Sequence, residues 1–165
     1  MTTGHKKIHL ENNTMNDQSV NTITFDGPYL DILLMKHQGL CCSQIVVKLV
    51  LRDLGRDNPD LVRSMAALCN GFYAGVTCGV LTGASCALSL ALDGSREREM
   101  QDSEFPLLLA ELWDWFSVRA EKEYGGINCD EILKASPDKR ACSDLLLATM
   151  EKLQSILATV GGTGQ

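Results

Sequence analysis

From Ser64 to Leu92 the chain runs for 29 positions without a charged residue. Such a stretch must be buried in protein or cross a bilayer. Its composition argues for burial in protein. Gly, Ala, Ser, Cys and Thr are as frequent as Leu and Val, and Asn70-Gly71 and Gly75 are turn positions. A helix uncharged on all sides belongs at the centre of a bundle. The expectation is a buried helical core with no stable membrane insertion.

The flanking segments carry helical periodicity. Pro28 can open a helix that bears Leu30, Leu33 and Leu34 and ends at Gly39. A second helix spans about 40–54, with Cys42, Ile45, Val46, Leu49 and Val50 as its stripe and Gly55 beyond it. Cys41 falls about 100 degrees away, nearer Lys48 and Arg52. Asn58-Pro59 reads as a cap and first position of a third helix reaching about Cys69. A fourth runs from about Val76 to Leu92. Gly75, Gly79 and Gly83 recur every four residues on it, which lets another backbone approach closely. Ser103 can cap a fifth helix, with Leu109, Trp113, Phe116 and Ala120 facing the core. Cys129 to Lys134 forms a short turn, and Ser136-Pro137 opens the last helix. Only Asn21 to Phe25 has β character. The fold class is all-α: an irregular bundle of about five longer helices plus short helical turns. Residues 1–27 read as a flexible tail and 28–162 as a single helical domain.

The net charge is -6, there is no basic tract and aromatics are few, so nucleic acid is not an expected partner. Seven cysteines stand at 41, 42, 69, 78, 86, 129 and 142, with no CxxC pair. The chain is long enough to fold without staples, and no apolar run of signal-peptide type opens it. A cytoplasmic location follows, where thiols are buried, catalytic or metal-bound more often than locked in disulfides. His5 and His9 fall in the tail without a helix signal, and His37 is the only other histidine. Walker A, GxGxxG, HExxH and GxSxG patterns are absent.

Cys42, Cys78 and Cys129 fall near helix starts, where free N–H groups and the helix dipole stabilise a thiolate and lower the thiol pKa. Cys142 lies about one and a half turns into the last helix, on its apolar stripe. The plainer reading is that buried cysteines serve as small hydrophobes.

Cys78-Gly79-Val80-Leu81-Thr82-Gly83 resembles the CGAxxG motif of the C_GCAxxG_C_C family, named for redox activity. Cys41-Cys42-Ser43-Gln44 is similar to its upstream N-C-A-Q-like segment and places that hallmark cysteine at Cys42. Cys78, Cys129 and Cys142 match the other three. Val80 stands where the family has Ala, and Cys41, Cys69 and Cys86 are extra to the pattern. They are fillers, or Cys41 is a local exchange partner. The resemblance implies a redox protein with a protein redox partner or a transporter-associated system.

Two chemistries compete. In the first, Cys42 or Cys78 attacks as thiolate and a second of Cys42, Cys78, Cys129 and Cys142 resolves the mixed disulfide. With no CxxC, the exchanging pair must come from different helices. In the second, the same four cysteines bind zinc or an iron–sulfur cluster. A third reading is a non-catalytic helical interaction protein with buried cysteines. The glycine-lined face suits a neighbouring helix or a second subunit in a homodimer.

Overall fold

The computed structural model describes residues 27–92 and 105–161. The expected tail with His5, His9 and Asn21 to Phe25, and the expected cap at Ser103, lie outside the described residues.

The fold is an all-α, irregular bundle with no strand among the described residues. Helix α1 is Pro28–His37, with Pro28 in its first turn, Asp31 near the N-terminus and Lys36 and His37 in the last turn. This charge order suits the helix dipole. Gly39 then turns the chain at φ 87°. Helix α2, Cys42–Asp53, is the most enclosed, with Ile45, Val46, Val47 and Leu49 at 2 % exposure or less. Helix α3 is Pro59–Ser64. The Asn58 side chain accepts the Leu61 N–H at 3.0 Å to cap it.

The expected continuation of α3 to Cys69 is corrected by the structure. The chain tightens to a 3-10 helix over Met65–Leu68, and Cys69 is extended. Asn70, Gly71, Phe72 and Tyr73 then all take positive φ, so the chain makes a left-handed turn there. Helix α4 starts at Gly79, three residues later than expected, and runs to Ala91. The uncharged stretch is thus broken into short pieces, and no helix among the described residues is long and apolar enough to cross a membrane.

Helix α5 is Phe105–Tyr124, with Leu112, Phe116 and Ala120 fully buried. The half-buried Trp113 donates its Nε1–H to Ser85 Oγ of α4 at 3.1 Å. Helix α6 is Cys129–Ala135. Helix α7 is Arg140–Gly161, starting after the expected Ser136-Pro137. Lys139 takes φ 61° and cannot lie inside a right-handed helix. Instead Asp138 Oδ1 accepts the Arg140 N–H at 3.1 Å and Ser136 Oγ accepts the Ala141 N–H at 3.2 Å.

Helix α2 packs most extensively on α4, and α4 on α7. Burying each large aliphatic side chain along these seams contributes about 1.5–3 kcal/mol. The α2–α4 seam is close because of glycine. A Cβ on Gly83 would lie 2.7 Å from Ser43 Cα, and one on Gly79 would lie 2.7 Å from Cys42 Sγ. The expected glycine face therefore holds for Gly79 and Gly83. Gly75 lies before the helix and faces Asp130 instead.

Candidate functional site

The site is built where several helices begin. Cys41 is the N-cap of α2, with extended backbone at φ -92° and ψ 170°. Its N–H donates to Gln44 Oε1 at 3.2 Å. Gln44 also reaches across to donate to the Val62 carbonyl at 3.1 Å. Cys41 thus lies outside the helix, and its expected place toward Lys48 and Arg52 does not apply. It is joined by a disulfide to Cys69, with Cα atoms 5.9 Å apart. That separation is ordinary for a disulfide. The two cysteines come from different elements, as thiol–disulfide exchange without a CxxC pair requires.

Ser43, fully buried in the first turn of α2, touches both sulfurs. Its Oγ is 3.4 Å from Cys41 Sγ and 3.3 Å from Cys69 Sγ. The hydroxyl proton goes to the Met65 carbonyl at 2.8 Å.

Cys42 is the first residue of α2, and its thiol lies over Gly79. The Cys69 Cα lies 3.6 Å from the same point on Gly79, so the Cys42 thiol lies near the Cys69 backbone. Cys78 is the N-cap of α4, and Cys129 is the first residue of α6. An isolated antiparallel bridge between Thr77 and Asn128 holds them together. Cys78 N–H donates to the Ile127 carbonyl at 2.9 Å, and Cys129 N–H to the Val76 carbonyl at 2.8 Å. The flanking residues Cys78 and Cys129 form a diagonal pair on the other face of this bridge.

Cys142 is the third residue of α7, not one and a half turns in, because α7 starts late. Next to it, Ser143 Oγ accepts from Lys36 Nζ of α1 at 2.7 Å. No carboxylate among the described residues pairs with Lys36. Cys86 is exposed on α4.

The four hallmark thiols sense one another. For Cys42, burial raises the pKa most and the charge of Cys142 raises it further. For Cys78, burial and then Cys42 push it up to about 12. For Cys129, burial and then Cys42 push it up to about 11. Burial also raises Cys142, while Lys36 and Lys139 pull it down. Cys42 is therefore the hub, the strongest thiol neighbour of both Cys78 and Cys129. The expectation that helix starts would lower these pKa values is overturned. Loss of water around a thiolate outweighs a few N–H groups and a dipole end.

Among the described residues no group of three or more His, Cys, Asp or Glu side chains is arranged to hold a metal ion. Cys42, Cys78, Cys129 and Cys142 share a neighbourhood, but they are not placed to hold a single metal ion such as zinc.

Residues 40–156 match the model of the family described as "Putative redox-active protein (C_GCAxxG_C_C)". The chain belongs to this family. No curated protein and no solved structure matches it significantly. Membership agrees with the cysteine-rich, disulfide-forming centre of this helical bundle. Sequence reasoning missed the Cys41–Cys69 bond and Ser43. The one available signal was Gln44, three residues after Cys41, where a capping side chain sits. Nothing in the sequence linked Cys69 to Cys41.

Proposed function

We propose that the chain is a thiol–disulfide exchange protein in which Cys42 links the Cys41–Cys69 disulfide to the hallmark thiols. The observation that carries this reading is the position of Cys42. Its thiol lies over Gly79 beside Cys69, and it is the thiol neighbour of Cys78, Cys129 and Cys142.

The exchange needs two steps. The Cys42 thiolate attacks Cys69 Sγ, forming Cys42–Cys69 and releasing Cys41 as a thiolate that takes a proton. Cys142 then attacks Cys42, forming Cys42–Cys142 and releasing Cys69, which takes the second proton. Two thiols are oxidised and one disulfide is reduced, so electrons and protons balance. Cys78 and Cys129 are the further thiols beside Cys42. The half-buried Cys41 and Cys142 are the points where a protein thiol partner, or a transporter-associated one, would exchange with the centre. A cytoplasmic setting suits this use, because its thiol pool keeps cysteines reduced and makes a lone disulfide a working pair.

The test is to oxidise and reduce the purified protein in stages and map disulfides by peptide mass spectrometry. Bonds from Cys42 to Cys69 or Cys142 should appear, and Cys42→Ser should slow redistribution at least about tenfold, since the Brønsted-active attacking thiol is gone. A Cys41–Cys69 bond that never redistributes, with four inert thiols, would sink the proposal. So would stoichiometric iron with acid-labile sulfide, or zinc, masking the four hallmark thiols in protein purified without oxygen.

A further inference from the structure

The geometry points to Ser43 as a positioning residue that favours the dithiol over the disulfide at Cys41 and Cys69, making this pair a better oxidant. The inference rests on the reading of that pair as redox-active.

A serine hydroxyl has one proton and two lone pairs. In Ser43 the proton is committed to the Met65 carbonyl at 2.8 Å. The oxygen also faces Cys69 Sγ at 3.3 Å and Cys41 Sγ at 3.4 Å. While those sulfurs are bonded to each other, neither carries a hydrogen. The lone pairs then have nothing to accept, and the residue is fully buried away from water. A buried acceptor without a donor costs free energy.

Reduction changes the inventory. An external dithiol gives up two electrons and two protons. The S–S bond breaks, two S–H groups form, and the dithiol closes into its own cyclic disulfide. Both new donors appear within sulfur hydrogen-bond reach of the Ser43 oxygen, which has acceptor capacity to spare. Cys69 has a second, more distant acceptor in the Met65 carbonyl at 3.8 Å, whereas Ser43 is the acceptor placed beside Cys41. The hydroxyl therefore bonds the reduced form and not the oxidised one. Its position is fixed from behind, because Gly83 of α4 packs directly on Ser43 Cα. The bond to the Met65 carbonyl then holds the oxygen on the side of the two sulfurs.

The test uses full-length protein equilibrated in dithiothreitol buffers of graded ratio, with the thiols of Cys41 and Cys69 counted by mass tagging. Ser43→Ala keeps the size of the residue and removes the acceptor. The variant should be harder to reduce, by about three- to tenfold in the equilibrium ratio, given the strength of weak S–H bonds. Tenfold corresponds to about 30 mV for this two-electron couple. An unchanged midpoint, or a variant easier to reduce, would overturn the inference while leaving the exchange reading intact. A pair that no dithiothreitol ratio reduces in the folded protein would overturn both.

A second measurement needs no variant. In the S–H stretching region, the reduced-minus-oxidised infrared spectrum of the unaltered protein isolates the newly formed thiols from those present in both states. Bands displaced to lower frequency than a free thiol support acceptance by Ser43. Bands at the free-thiol frequency refute it, whatever the variant does.

Discussion

Cys78 sits at the start of α4, where backbone N–H groups favour a thiolate, yet its thiol is pushed up to about 12. Cys129 at the start of α6 is pushed up to about 11. The attacking species is the thiolate, so at neutral pH the resting centre is almost wholly protonated. Alkylation of Cys78 and Cys129 should climb about tenfold per pH unit and show no plateau below about pH 11. Cys142 should react at lower pH than either, because Lys36 and Lys139 favour its charged form. Lys36→Gln should shift the Cys142 profile upward and leave Cys86 unchanged. Iodoacetamide labelling read by mass spectrometry across pH checks both points; a shared plateau near pH 8 for all thiols would contradict them. A thiol whose folded pKa is raised stabilises the fold fully below its unfolded value near 9 and loses that contribution as pH rises through the folded value. At this scale the sequence was partly legible. The motif marked the four hallmark cysteines, but their ionisation depends on how deeply the fold buries them. Cys41 and Ser43 stand where the N-C-A-Q-like segment has Asn and Ala, and these two departures meet at the disulfide.

The α2–α4 crossing places both the disulfide and the Cys42 thiol. Gly83 touches Ser43 backbone, with a Cβ there lying 2.7 Å from Ser43 Cα and 3.0 Å from its carbonyl oxygen. Backbone on both sides cannot rotate away as a side chain could. Gly83→Ala gains about 1 kcal/mol in helix propensity, but overpacking costs about 1–3 kcal/mol. We expect a net loss of up to about 2 kcal/mol in urea denaturation; a stabilised variant would mean that α2 and α4 can slide apart. Apolar periodicity located α2, α5 and α7, and spacing by four located the glycine seam. Helix starts were less legible. The start of α7 depends on the left-handed Lys139 and the Asp138 cap. The turn at 70–73 puts Phe72 and Tyr73 at φ 58° and 57°, a conformation that costs L-residues roughly 1–2 kcal/mol each. Asn70-Gly71 marked a turn, but no local preference carries the left-handed conformation on through Phe72 and Tyr73. That conformation is imposed by what holds its ends: Cys69 in its disulfide and Val76 bonded to Cys129.

Taken as one molecule, the bundle is tied at a single place. The Cys41–Cys69 bond closes a loop of separation 28 that contains α2, α3 and the 3-10 segment. Loop-closure entropy assigns such a cross-link about 3–4 kcal/mol of stability. A domain of this size is stable by about 5–15 kcal/mol in all, so reduction should weaken the fold substantially without unfolding it. That balance suits exchange, since the reduced protein must keep Cys42 over Gly79 to act again. The paired variant Cys41→Ala with Cys69→Ala should therefore unfold at lower urea concentration, with about 3–4 kcal/mol lost. Adding dithiothreitol to the unaltered protein should bring its stability down toward that of the variant, while the variant itself should not respond. A loss below about 1 kcal/mol would mean that the loop is already ordered in the unfolded chain. The core seams of α2, α4 and α7 would then hold the site without help from the disulfide, and redox state would leave the fold unaffected.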